Sequence, residues 1–127
     1  MYQTEYCQVE YLKDMDAVLC SWKKFCQGDD YRNPLRYGLK LLKEKKCRNW
    51  ITDTTNGFEN KEEDTVWLLN EFLPGVIDSP CDNLFFIMGA DSPLKYEIEG
   101  QTEALQKFFN VHVCTNINEI QTKLFKT

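Results

Sequence analysis

The residues whose types and spacing could do chemistry are few, and the densest group lies between Trp50 and Trp67. Asp53, Thr54, Thr55 and Asn56 place a carboxylate, two hydroxyls and an amide directly before Gly57. Such a group at the carboxyl end of a strand suits contact with a ligand or partner. It equally suits an Asx-type turn, with Asp53 accepting hydrogen bonds from the backbone of Thr55 to Gly57. A second group, Glu59, Glu62, Glu63 and Asp64, offers carboxylates for a metal or an acid/base pair. Consecutive helical positions point in different directions, so these side chains do not converge. Their simpler role is to complement the positive end of a helix dipole. His112 and Cys114 are two apart on a predicted strand and share a face, but no third group orients them as a nucleophile and base. Trp67, with Phe72 and Trp22, suits an apolar pocket or partner surface as well as a packed core. Convergent catalytic chemistry is not visible.

Two further chemistries are weighed and set aside. The run from Asp53 to Gly57 is superficially like a D-K-T-G-T phosphoaspartate loop, which also needs a second carboxylate for magnesium and a lysine to neutralise charge. Thr54 stands where that lysine belongs. The six cysteines (Cys7, Cys20, Cys26, Cys47, Cys81 and Cys114) contain no C-x-x-C pair, and the single histidine has no partner at ligand spacing. Several fall within predicted strands, where a reduced thiol behaves as a small hydrophobe. Neither a metal nor a cofactor is expected.

The elements that must position these residues are read from periodicity. Thr4 to Leu12 alternates as a half-buried strand, and Ala17 to Phe25 is rich in β-formers; the short turn between them makes an antiparallel hairpin. A helix follows, starting at Asp29, Asp30 or Asn33, with Tyr31, Leu35, Gly38, Leu39 and Leu42 on its inner stripe. Gly38 on that stripe suggests close approach of helix to sheet. Cys47 to Thr54 is the next strand. The helix after it is expected to turn Val66, Leu69, Leu73, Val76 and Ile77 inward, and Pro74 should kink or divide it. Leu84 to Met88 is a continuous apolar run, as in a central parallel strand. Ser92-Pro93 opens a helix through Phe109, Val111 to Cys114 is a last strand, and Asn116-x-x-Glu119 is a capping box for a closing helix. The fold class is therefore α/β. It has a single mixed sheet of about five strands, an N-terminal antiparallel hairpin then β-α units, with about four helices.

The bulk properties bound the function. One domain of 127 residues, 43% hydrophobic and 28% charged, is ordinary for a folded globular chain. A net charge of −5 argues against nucleic acid. The basic residues Lys40, Lys43, Lys45, Lys46 and Arg48 read as a solvated helix end. Neither a signal peptide nor a spanning segment is seen, so a cytoplasmic location is expected.

The stretch from Trp50 to Pro74 resembles a known family. W-I-T-D-T-T-N-G, then E-E-D-T-V-W and E-F-L-P, is similar to the strand and helix motifs of bacterial SpoIIAA-like proteins, a STAS and CRAL-TRIO-related group. The resemblance covers nearly the whole chain, matching Asp53, Trp50, Trp67 and Pro74 to the family's pattern. It implies a single non-enzymatic regulatory or protein-interaction domain over residues 1–127, with Asp53, Thr54, Asn56, Asp64 and Trp67 as its binding surface. Its partner would be a protein, including a second copy of itself as a homodimer. The CRAL-TRIO relationship implies the alternative of a carrier for a small apolar or lipid-like ligand in a helix–sheet pocket. STAS antagonists carry Asp-Ser-x-Gly as a phosphoacceptor. Asp64-Thr65 is the positional counterpart, making Thr65 the candidate, but Val66 and Trp67 follow where a glycine is expected.

Overall fold

The computed structural model describes residues 1–56, 61–88 and 105–125. One sheet holds six strands in chain order. They are β1 (Tyr2–Gln3), β2 (Cys7–Leu12), β3 (Ala17–Trp22), β4 (Asn49–Asp53), β5 (Asn83–Ile87) and β6 (Asn110–Cys114). The first three pair antiparallel and β3 to β6 pair parallel. This is the mixed α/β sheet the periodicity predicts, with one strand added at the edge. β1 is too short for a period of two to register. A turn returns it onto β2, where the Thr4 hydroxyl accepts hydrogen bonds from the N–H groups of Tyr6 and Cys7.

Helix α1 (Asp29–Glu44) crosses from β3 to β4. Its N-cap is Gly28, at φ 61° and ψ −133°, a conformation that suits glycine alone. Pro34 therefore lies inside the helix and not at its first position. The inner stripe is as expected, with Tyr31, Leu35, Gly38 and Leu42 buried. Gly38 lets the helix sit directly on Trp50, since a β carbon there would collide with the indole ring. β5 is buried on both faces through Leu84, Phe85, Phe86 and Ile87, as its apolar run predicts.

The second crossover corrects one expectation. It is a composite of α2 (Glu62–Trp67), a π-helical turn (Leu68–Phe72) and α3 (Leu73–Ile77). Val66, Leu69 and Ile77 do not face the core; they are 51%, 51% and 42% exposed. Leu73 and Val76 pack on the core as expected, and the other inward positions are Asp64, Leu68 and Phe72. A π turn takes in an extra residue, so a stripe drawn at 3.6 residues per turn drifts off the core. Within it the Leu73 N–H reaches back to the carbonyl of Leu68. Pro74, which has no N–H to donate, follows at the start of α3 and marks the division.

Both of these crossovers cover the same face of the sheet, where Val9, Val18, Cys20, Trp50, Leu84 and Phe86 meet them in the main core. The opposite face has a smaller core of Met15, Ala17, Ile51, Phe85, Ile87 and Cys114, capped by Ile120 of α4 (Ile117–Phe125). Half of the predicted capping box forms: Asn116 Oδ1 accepts from the Glu119 N–H, while Glu119 Oε2 accepts from the N–H of Thr115, one residue before the cap. Most of the helix expected from Ser92 lies outside the described residues. Its end is described, and there Leu105 and Phe109 join the main core. All six cysteines are buried free thiols, and burial pushes those of Cys26 and Cys47 up to about 11 and that of Cys81 to about 12.

Candidate functional site

The residues singled out in the sequence do not form one cluster. Asp53 closes β4 on the α4 face, where its Oδ1 accepts from the N–H and hydroxyl of Thr55 at 3.0 and 2.6 Å. That is the Asx-type turn. Thr54 is buried, and both its N–H and its hydroxyl donate to the carbonyl of Ile87, tying the loop to β5. Asn56 is exposed, and Gly57 and Glu59 lie outside the described residues.

Asp64 is on the other side of the sheet and is 2% exposed. Its Oδ2 accepts from the Gly28 N–H at 3.1 Å and its Oδ1 from Arg32 Nε at 3.0 Å. The carboxylate thus pins the start of α2 to the start of α1. Trp67, one turn on, lies beneath the guanidinium groups of Arg32 and Arg36, 5.5 and 5.2 Å from its ring centre. Its other ring contacts are Tyr31 and Phe72. Asp64 and Trp67 therefore come together as a bracket between helices, with both Asp64 oxygens and the Trp67 ring engaged in it. Such a cation–π contact is worth about 0.5–1 kcal/mol at a partly exposed site.

Two recesses remain. On the α4 face a trough of ≈740 Å³ runs between the β2 end of the sheet and α4, with Leu19 and Ile87 among its apolar walls and Glu10, Lys13, Asp14 and Asp53 among its polar ones. His112, on this face, stacks on Phe85 at 4.8 Å; burial and then the charge of Lys123 lower its pKa. Cys114 is buried in the small core. Among the described residues, no group of three or more His, Cys, Asp or Glu could hold a metal ion.

The second recess is a cavity of ≈240 Å³ between the sheet and the helix layer. Its floor is Trp22, Trp50, Thr52, Leu84 and Phe86 from β3, β4 and β5. Tyr31 and Leu35 of α1 form one wall, and the π turn with its flanks supplies Thr65, Leu68, Leu69, Phe72, Leu73 and Val76. Leu105 and Phe108 complete it. No described lining residue is acidic, basic or a thiol. Trp22 and Phe72, named from the sequence as pocket candidates, line it, whereas Trp67 does not. Thr65 is half-buried on its wall.

The two indoles on the floor differ. Trp50 Nε1 donates to Thr52 Oγ1 at 2.9 Å. This pairing is legible in the sequence, because positions i and i+2 of a strand share a face. Trp22 stacks on Tyr31 at 5.1 Å and is 4% exposed, yet its Nε1 is buried with no hydrogen-bond partner. A buried N–H left unpaired costs about 1–3 kcal/mol. The same spacing offers Trp22 only Cys20 two positions back, since β3 ends at Trp22 itself.

Among the described residues, no helix is long and apolar enough to cross a membrane. No family model, curated protein or solved structure matches this chain, so its fold and the two recesses are what describe it.

Proposed function

We propose that this chain is a non-catalytic binding domain that holds a small apolar ligand between its helix layer and its sheet. The observation that carries the reading is the ≈240 Å³ cavity with its apolar wall. A cavity so lined is the kind of site that takes an uncharged, largely hydrocarbon molecule. The π turn on its wall adds weight, because π turns inside α-helices are frequent at functional sites. The resemblance to SpoIIAA-like proteins, through their CRAL-TRIO relationship, points the same way, and a cytoplasmic carrier is the form it takes here. Ligand-observed NMR with a panel of small hydrocarbons tests the reading. Saturable binding is expected in the wild-type protein and not in Thr65→Phe, which fills the cavity from its wall. No binding by any hydrocarbon of the panel would overturn it.

A protein-contact reading rests on a different observation. Val66 on α2 and Ile77 on α3 are large apolar side chains left 51% and 42% exposed. Apolar surface of this kind suits a protein partner, a second copy included. Sedimentation of the wild type against Val66→Lys decides it, with a faster-sedimenting species in the wild type alone as the supporting result. The surface at Asp53, Thr54, Asn56 and Asp64 is less favoured for this role, since three of those four side chains already bond within the fold.

A further inference from the structure

We propose that β6 pairs antiparallel with β6 of a second copy of this chain, in a single register, joining two sheets into one across a two-fold axis. The proposal is independent of the ligand-binding reading above.

Among the described residues, β6 closes one end of the sheet. Its bonds to β5 fix which of its backbone groups are spent. The Asn110 N–H donates to the carbonyl of Asp82, and the Met88 N–H donates to the carbonyl of Cys114. Alternate residues of a parallel strand face its neighbour, so Asn110, His112 and Cys114 turn to β5 while Val111 and Val113 turn outward. The flanking outward N–H groups are already used: that of Phe109 donates to the Leu105 carbonyl and that of Thr115 to Glu119 Oε2. Val111 and Val113 are left with N–H and C=O groups that nothing among the described residues engages.

That pattern selects its partner. Antiparallel strands bond through residue pairs that exchange N–H···O bonds. Setting Val111 against Val113 of the second copy, and the reverse, spends every open group on both copies. Setting either valine against itself would bring the other against Phe109 or Thr115, whose N–H groups are taken. β6 has no acidic residue, lysine or arginine, so two chains of net charge −5 can meet there without like charges directly opposed. Val113 is 43% exposed, and in this register it lies beside Val111 of the second copy on one face, a β-branched pair that favours the ladder. The opposite edge is a poorer template, since β1 is only Tyr2–Gln3.

Sedimentation equilibrium over a concentration series tests the pairing on wild type, Val113→Pro and Val66→Lys. Proline is tolerated on an edge strand where the lost N–H faces outward, so Val113→Pro should keep the fold. It removes the Val113 N–H bond from both copies, and the dimer dissociation constant should rise at least about thirtyfold. Val66→Lys should leave it unchanged. The register is read from His112→Cys and Val111→Cys, each treated with glutathione disulfide. A thiol from each copy joins in a disulfide, and their two electrons and two protons reduce the glutathione disulfide to two glutathione thiols. Position 112 meets itself across the axis, with Cα atoms about 4.5 Å apart, which fits a disulfide. His112→Cys should therefore give a covalent dimer on a non-reducing gel and Val111→Cys should not; the six native thiols are buried. A wild type that stays monomeric, or association that persists in Val113→Pro, overturns the proposal. Association lost instead in Val66→Lys returns the contact to α2 and α3. Cross-linking of Val111→Cys as strong as that of His112→Cys overturns the register and the proposal with it. Should Val113→Pro fail to fold by circular dichroism, the cross-linking pattern decides.

Discussion

The two faces of this sheet each carry one of the aspartates that the sequence placed in a single site, and they use them in opposite ways. On the α4 face Asp53 folds onto its own loop through Thr55, beside a trough of ≈740 Å³ with charged residues on its walls. On the other face Asp64 is sunk between α1 and α2, accepting from Gly28 and Arg32, near a cavity a third of that size whose wall is apolar. The larger recess is not the better candidate. Its distinctive carboxylate is satisfied locally, whereas the smaller one has no acidic or basic residue among its described lining. The chemistry of a wall says more about a ligand than volume does.

The largest effect that could break this comparison is expected at Asp64. In Asp64→Ala the Gly28 N–H and the Arg32 guanidinium lose their shared acceptor, and stability should fall by about 3 kcal/mol. Arg32 keeps some access to water, which holds the loss to the lower end for a broken buried pair. Urea denaturation measures it. A loss below 1 kcal/mol would mean the bracket is not what fixes α2 on α1.

Gly38→Ala should come next. The added methyl meets the Trp50 ring, which is buried and cannot swing away, so about 1–3 kcal/mol of overpacking is expected. The ring forms part of the cavity floor, so hydrocarbon affinity should change together with stability. Thermal unfolding and the hydrocarbon titration, run on the same preparation, check both. A normal melting temperature would show that the helix can lift from the sheet without cost.

Asp53→Ala is expected to matter least. It removes a partly exposed Asx-type turn while Thr54 still holds the loop to Ile87, and should cost under about 1 kcal/mol. Hydrocarbon binding should not change, because Asp53 is on the opposite face from the cavity. If Asp53→Ala abolished binding in the titration, the assignment of function to the helix-covered face would be reversed.

Local pattern decided the order of elements. Alternation in Val9 and Tyr11 marks β2, the unbroken run from Leu84 to Met88 marks a strand covered on both sides, and Asn116 with Glu119 marks the start of α4. Each of these signals is carried by neighbours in the chain, which is why it can be read there. Gly38 on an inner stripe likewise announced a close approach, though not that Trp50 would be what it approaches. In the helix after β4 the pattern holds for Leu73 and Val76 but not for Val66, Leu69 and Ile77, because a π turn is set by packing and leaves no periodic trace of its own.

Tertiary structure alone decided which residues meet. Asp53 and Asp64 are eleven positions apart by their numbers, yet the sheet separates them, since a strand-end side chain and the helix that follows can take opposite faces. Gly28 and Arg32, 36 and 32 positions from Asp64, are drawn to it by the packing of α1 on α2. The Trp50 indole N–H finds Thr52 on its own strand, but that the Trp22 N–H is buried without a partner among the described residues follows from the packing around it. Covalent order fixes what each segment prefers to be; whether a buried group finds a partner depends on segments far away along the chain.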